Sequence, residues 1–456
     1  MTPLHPCRPR AGALVLAAVL ALPLAGLPVW TSAQDEAAAQ EDDSLPRFLR
    51  LDDVLAAVDA RHPRVQQARA ERERATAALE ATRAERDLRL DARLEARWIE
   101  PNDLVDDRSR NDSRASIVAR KLLSDFGRSG AREAAGTRHL EAAREREHLA
   151  HARQRIEALE RYFDVVLADL AFARDTEDMA SAYVSKERAE ERNELGQVSD
   201  IELFRLESEY QTKRVQRQRA LLEQRRTRAA LAEALNRPDE RVRDPLPPSL
   251  PLELPELPEL DELLEALDQG NPQLAVERHR VEAAARSVEA ARTERRPRLY
   301  AEAESGWWHR ELGGGDRNPF AAGLVLEVPL YEGRRGDARV GQAVAERQRA
   351  EAGLAQARIE ARNRLRELYH EAQTLRVQRD EAVWRMDYRE LYIDRARYLY
   401  DIEDQADLGD SMVQQSAAAH FNAQTEFQLA MTHERLALLT GRPELSPFRQ
   451  VADHTE

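Results

Sequence analysis

The chain holds one cysteine among 456 residues, and that one, Cys7, precedes the first apolar run. Arg8 and Arg10 give a positive start, Ala11 to Leu27 an apolar stretch broken by Pro23, and Thr31-Ser32-Ala33 a small-residue end before Gln34. That order reads as a secretory signal peptide over residues 1–33, cleaved on export; an uncleaved anchor is the alternative. Cys7 then leaves with the leader, so the mature chain has no disulfides although an exported protein is free to form them. Its place before the apolar run also excludes a bacterial lipoprotein cysteine. Later in the chain no apolar run is long enough to cross a bilayer as a helix, so any passage through a membrane falls to strands. There is no Gly-rich phosphate loop and no serine nucleophile elbow. The formal charge of −14 argues against a nucleic-acid partner.

Glycine is scarce as well, and Ala, Leu, Glu and Arg dominate, which is the composition of long or coiled-coil helices. The many arginines are balanced by glutamates, as intrahelical pairing requires. His148 and His151 share a charged helix without a third ligand nearby, and His370-Glu371-Ala372-Gln373-Thr374 begins like a zincin motif but lacks its second histidine. Neither predicts a metal site, and no catalytic residue or cofactor is expected.

The chain repeats itself. LDDVLAAVDARHPRV from Leu51 matches LDELLEALDQGNPQL from Leu260, with Pro63 on Pro272. Gly127, Arg128 and Gly130 match Gly333, Arg334 and Gly336, and LAEALNRP ending at Pro238 matches LALLTGRP ending at Pro443. The spacing stays near 205–209 residues, so the repeat is a whole structural unit, unless two coiled coils align by composition alone. The organisation read from this is a mature N-terminal segment 34–50, a first repeat 51–238, a Pro-rich extended linker 239–259, a second repeat 260–443 and a tail 444–456.

Each repeat reads helix, strand, strand, long helix, helix. The first helix is expected over Leu51 to Arg86. From Leu90 to Ile99, Leu90, Ala92, Leu94, Ala96 and Trp98 fall on one face and Asp91, Arg93, Glu95 and Arg97 on the other, the period of a strand. In the second copy Leu299, Ala301, Ala303, Ser305 and Trp307 oppose Tyr300, Glu302, Glu304 and Trp308. Second strands follow at ASIVARKLL and FAAGLVLEVPL. Long helices are expected from Ala131 to Asn193 and from Asp337 to Tyr400, each roughly 90 Å, with returning helices from Asp200 to Asn236 and Asp407 to Thr440.

Taken with VPLYEGRRGDARV at the strand-to-helix junction and the repeat ends LNRP and LTGRP, this arrangement resembles the TolC-like outer-membrane efflux proteins, the outer membrane factors, over nearly the whole mature chain. The resemblance implies a mainly α fold with a small β part. Four strands per protomer would close a shared 12-stranded transmembrane β-barrel in a homotrimer, and coiled-coil helices would continue as an α-barrel. The protein would sit in the outer membrane of a Gram-negative bacterium and reach into the periplasm. It would act as a passive exit duct of a tripartite efflux or type I secretion system, with an adaptor protein and, through it, an inner-membrane transporter. A periplasmic coiled-coil adaptor or scaffold that never enters the membrane is the alternative, although no lipoyl-like or small barrel module is present.

Residue by residue, the resemblance assigns Gly127, Gly130, Gly333 and Gly336 to the strand-to-helix junctions. Trp98, Trp307 and Trp308 suit a membrane-interface girdle, or ordinary strand packing. Leu195, Gly196, Val198 and Ser199 form the first periplasmic tip and, with Tyr400, the surface an adaptor would dock on; a plain helix hairpin needs the same turn residues, with Ser199 and Glu202 as a capping box. The second tip is expected at Tyr400 to Asp404, with Asp401 where a turn glycine is usual. Asp407 and Asp410, with Tyr398, are candidates for the channel constriction; the competing reading puts the turn at Gly409, with these aspartates as turn and cap residues.

Overall fold

The structure, a computed structural model, describes residues 45–448 apart from 59–60, 101–108, 249, 251–253, 310–319 and 404–407, and the backbone alone over 400–403. The signal peptide expected at 1–33 lies outside the described residues. A short strand, β1 (Phe48–Leu49), leads into the first repeat: α1 (Leu51–Ala56), α2 (Pro63–Ala84), β2 (Leu88–Glu95), β3 (Arg114–Ser124), α3 (Arg128–Glu194) and α4 (Asp200–Ala234). After β4 (Asp244–Pro245), the second repeat runs α5 (Leu260–Gly270), α6 (Pro272–Arg292), β5 (Arg298–Trp308), β6 (Phe320–Glu327), α7 (Arg335–Glu403) and α8 (Leu408–Thr440).

The duplication is visible in the backbone. Gly127 (φ 99°) and Gly333 (φ 64°) precede the long helices, and Asn236 (φ 59°) and Gly441 (φ 67°) follow the returning ones. All four are left-handed, a conformation glycine adopts freely and asparagine tolerates. The helix expected from Leu51 to Arg86 is broken in two by Pro63. Proline has no N–H to donate and its ring clashes with the preceding turn, so it serves as the first residue of a new helix. Pro272 does the same in the second repeat, where the Asn271 side chain caps α6 by accepting from the Leu274 N–H at 2.8 Å.

α2 and α4 both lie along α3, and α6 packs between α3 and α7. α8 lies on both α7 and α3, so the repeats are packed against each other rather than strung in series. Most of these seams are alanine, but large side chains gather midway along the long helices. One core joins Leu49, Leu159, Tyr162, Phe163, Leu231 and Phe427, with the Phe163 and Phe427 rings stacked at 4.4 Å. The other joins Leu263, Leu267, Leu274, Leu365, Leu368 and Leu436.

The described residues of the Pro-rich linker hold no helix, but the segment is not free. Its β4 pairs in parallel with β1. The Tyr162 hydroxyl of α3, fully buried, donates toward the Leu49 carbonyl at 3.2 Å and the Leu246 carbonyl. Tyr162→Phe removes the donor and leaves these carbonyls dry, which costs about 1–3 kcal/mol. A fall in the urea midpoint with an unchanged slope is the expected result.

Candidate functional site

Strands β2-β3-β5-β6 form one antiparallel sheet in that order. Register decides which side chains share a face, because residues directly opposite point the same way. One row across the sheet is Leu90, Ala119, Ala303 and Ala322; the next is Ala92, Ile117, Ser305 and Phe320. The rows between them belong to the other face: Asp91, Val118, Glu304 and Ala321, then Arg89, Arg120, Glu302 and Gly323. On that face the charges pair, Arg120 with Glu302 at 3.1 Å and Arg89 with Asp91 at 2.9 Å. The apolar face is bare: Leu94 is 84% exposed and Leu324 70%. Neither β2 nor β6 has a partner on its outer edge among the described residues. A sheet that leaves its apolar face and both edges uncovered is incomplete as a water-soluble structure.

The hairpin expected to run to Ile99 ends as a regular strand at Glu95, and Trp98 continues it in the same register as a single bridge to Asn111. Trp98 and Trp307 therefore fall on the apolar side at the end of the sheet remote from the helices, with Phe320 beside them. Trp308 lies on the charged face, opposite Arg114 and over Gly306, where a Cβ would meet its ring at 2.9 Å. Phe126 and Tyr331, both exposed, stand at the opposite end of the sheet. Neither they nor Phe320 were singled out from sequence; their signal was an aromatic next to each strand end.

At the junctions, α3 starts at Arg128 and α7 at Arg335, earlier than the Ala131 and Asp337 expected. Phe126 (φ 54°) and Gly127 make a left-handed corner, and the Asp125 carboxylate then accepts from the Ser129 N–H at 2.7 Å. Gly130 sits against Arg86 in ordinary contact, whereas a Cβ on Gly336 would lie 2.5 Å from the Arg295 guanidinium, which bonds Asp337 at 2.6 Å.

The first tip closes at Gly196 (φ 72°), whose N–H donates to the Asn193 carbonyl at 2.8 Å. Asn193 in turn donates to the Val198 carbonyl and the Asp200 carboxylate, both at 2.9 Å. Ser199 accepts from the Glu202 N–H at 3.3 Å, while the Glu202 carboxylate accepts from Arg205. Leu195 is exposed, and so are Ile201 and Phe204 on the next turn, which extend the apolar surface beyond the residues named from sequence.

The second tip differs from expectation. Asp401 is helical, because nothing in Tyr-Asp-Ile-Glu interrupts α7 before Glu403, and Gly409 is already inside α8. The turn therefore falls at neither Asp401 nor Gly409, and residues 404–407, Asp407 among them, lie outside the described residues. Asp410 occupies the first turn of α8, where a carboxylate complements the helix dipole, and Ser411 is a buried helical residue rather than a cap. Tyr398 is exposed near the end of α7, and the Tyr400 side chain lies outside the described atoms.

Among the described residues no helix is long and apolar enough to cross a membrane, and no cluster of metal-ligating side chains occurs. Residues 263–442 match the family model of the outer membrane efflux proteins. The second repeat is an outer membrane efflux protein domain. The efflux-protein domain spans α5 to α8 and so contains half of the two-faced sheet. No curated protein matches the chain in sequence. Among solved structures, the chain is similar to a membrane protein from Pseudomonas aeruginosa, with TM-score 0.70, 19% identity, and 86% of this chain and 93% of the other covered. It is similar to the CmeC outer membrane channel of Campylobacter jejuni, with TM-score 0.70, 17% identity, and 86% and 85% covered. The outer membrane protein VceC of Vibrio cholerae gives TM-score 0.65, 17% identity, and 86% and 96% covered. Both repeats thus share the fold of outer-membrane channels.

Proposed function

We propose that three copies of this chain form an outer-membrane exit duct that reaches into the periplasm and carries out no chemistry of its own. The sheet carries this reading. Its bare apolar face suits lipid, its charged face suits water, and joining the β6 edge of one copy to the β2 edge of the next removes every open edge. Three sheets of four strands make twelve, and strands of 8 to 11 residues match the length that a tilted β-strand needs to cross a bilayer. Trp98, Trp307 and Phe320 at one end, and Phe126 and Tyr331 at the other, would mark the two interfaces with lipid. Trp308 would then face the lumen.

The helices support a trimer independently. Along α7, Val377, Trp384, Leu391 and Tyr398 are exposed at steps of seven, the period of a coiled-coil seam that lacks its partner. On α4, Val215 and Leu222 are exposed one step of seven apart, with Ile201 two steps before Val215. A second copy supplies the cover. Trp384→Glu is expected to weaken assembly roughly tenfold or more in protein concentration, read by analytical ultracentrifugation in detergent, with helicity unchanged.

The tips supply the partner surface. Leu195, Gly196, Val198, Ser199 and Tyr400 are the residues on which a periplasmic adaptor would dock, linking the duct to an inner-membrane transporter that provides the energy. Asp407, Asp410 and Tyr398 would form the constriction that this docking opens, with stacked carboxylate rings attracting cations. The purified protein should fractionate with outer membranes, migrate in a heat-modifiable way and conduct ions across a planar bilayer. A water-soluble periplasmic protein without conductance would overturn the duct. Asp407→Ala with Asp410→Ala should raise single-channel conductance and weaken block by multivalent cations; unchanged conductance would leave these residues as helix caps.

A further inference from the structure

The four places where strand meets helix are basic in an otherwise acidic chain. Residues 83–89, 120–132, 292–300 and 332–339 hold fourteen Lys or Arg and six Asp or Glu, whereas the chain as a whole carries −14. Within this belt a cleft of about 630 Å³ opens between the end of α2, the start of α3 and strands β2, β3 and β5, lined by Arg89, Arg120, Arg128, Arg132 and Arg298 against the carboxylates of Glu85, Asp87 and Asp125. Its strand residues Arg89, Arg120, Arg298 and Tyr300 all belong to the charged face of the sheet.

The guanidinium groups here outnumber their partners. Glu294 is shared by Arg128 at 3.1 Å, Arg339 at 2.8 Å and Arg132 at 3.8 Å, and Glu85 holds Arg132 at 3.1 Å. The Asp125 carboxylate accepts from the Ser129 N–H at 2.7 Å. The Nε and Nη1 of Arg128 and the Nε of Arg298 are buried with no hydrogen-bond partner. Burial, with the like charges of Arg132 and Arg298 added, pulls the Arg128 ionisation below its ordinary value. Buried donors without acceptors are costly, and several guanidinium groups converging on one open volume are the arrangement that receives a tetrahedral oxyanion.

We propose that this cleft binds a phosphate-type oxyanion, held by Arg128, Arg132 and Arg298. Resting on the duct reading, the site lies on the lumen wall just below the barrel, three times around the ring, so its ligand is a phosphate-bearing solute in the lumen rather than a lipid headgroup. The full mature protein, purified in detergent and freed of phospholipid, is titrated with inorganic phosphate and with pyrophosphate by calorimetry, with chloride as background. Saturable binding by the wild type is expected, roughly tenfold or more weaker in Arg128→Gln and in Arg298→Gln, and unchanged in Arg334→Gln, which shares the belt but not the cleft. Phosphate should also raise the thermal midpoint of the wild type, a readout that needs no variant. No saturable binding, or equal affinity in all the proteins, overturns the site. Phospholipid that co-purifies with the wild type, is lost from Arg298→Gln and blocks phosphate overturns the lumen source. The titration needs no membrane: conductance without phosphate binding removes only this inference, and binding without conductance removes the duct and with it the lumen source, but leaves the oxyanion site.

Discussion

Leu90→Arg is expected to leave the helices folded and to abolish membrane insertion. Leu90 lies in the row with Ala119, Ala303 and Ala322, well inside the apolar face. An arginine at the middle of a lipid-facing strand costs about 2–4 kcal/mol, and three copies in one barrel raise that to about 6–12 kcal/mol. Val118→Arg is the control. Val118 neighbours Ala119 in β3, but its side chain is on the charged face, opposite Asp91 and Glu304 in register, so a new cation there gains partners. Heat-modifiable trimer should vanish from the outer-membrane fraction for the first variant and persist for the second, while both keep wild-type circular dichroism. Loss of both, or of neither, would mean that the two faces of the sheet do not divide lipid from water.

A second large effect is expected from acid. His433 of α8 is wholly buried, and both ring nitrogens lack a hydrogen-bond partner. Burial first, and the Arg376 charge second, push its ionisation down to about 4, against a smaller opposing contribution from the Leu445 backbone. The unfolded chain takes up this proton near the ordinary pKa of about 6.5, whereas the folded chain takes it up only near 4. Folding stability is therefore unaffected by this group above about 6.5, falls with pH across the interval, and stops falling below about 4; the total is about 3 kcal/mol. His433→Leu should flatten that slope. Urea midpoints at pH 7 and pH 4.5 should move apart by about 2–3 kcal/mol more in the wild type than in the variant. Equal slopes would show that the proton is accommodated elsewhere.

The parts legible in the sequence are those that rest on local chemistry. Alternation across Leu90 to Leu94 and Leu299 to Trp307 identified the two faces, because side-chain direction depends only on the residue before and after. The glycines at 127 and 333 could be read because few other residues take that backbone conformation. The pairing of β3 with β5 was not legible, since it joins separate repeats and leaves no short-range trace. The break at Pro63 was missed because the apolar spacing runs through it. The second tip was misplaced because the repeat spacing is not constant: α7 extends through Asp401, where a strict copy of the first repeat would turn. The exposed seam at Val377, Trp384 and Leu391 has the same heptad spacing as a buried one, and only the packing of α7 on α6 and α8 separates the two.

The clamp of β1 on β4, held by Tyr162, sets an order of events as the chain folds during synthesis. Every residue in it precedes Pro247, so it can close before the second repeat has emerged. Part of its supporting core comes later: Leu159, Phe163 and Leu231 belong to the first repeat, but Phe427, Met431 and Phe448 belong to the last thirty or so residues of the chain. The first repeat thus emerges with its ends tied but its core only partly filled until the C-terminus arrives.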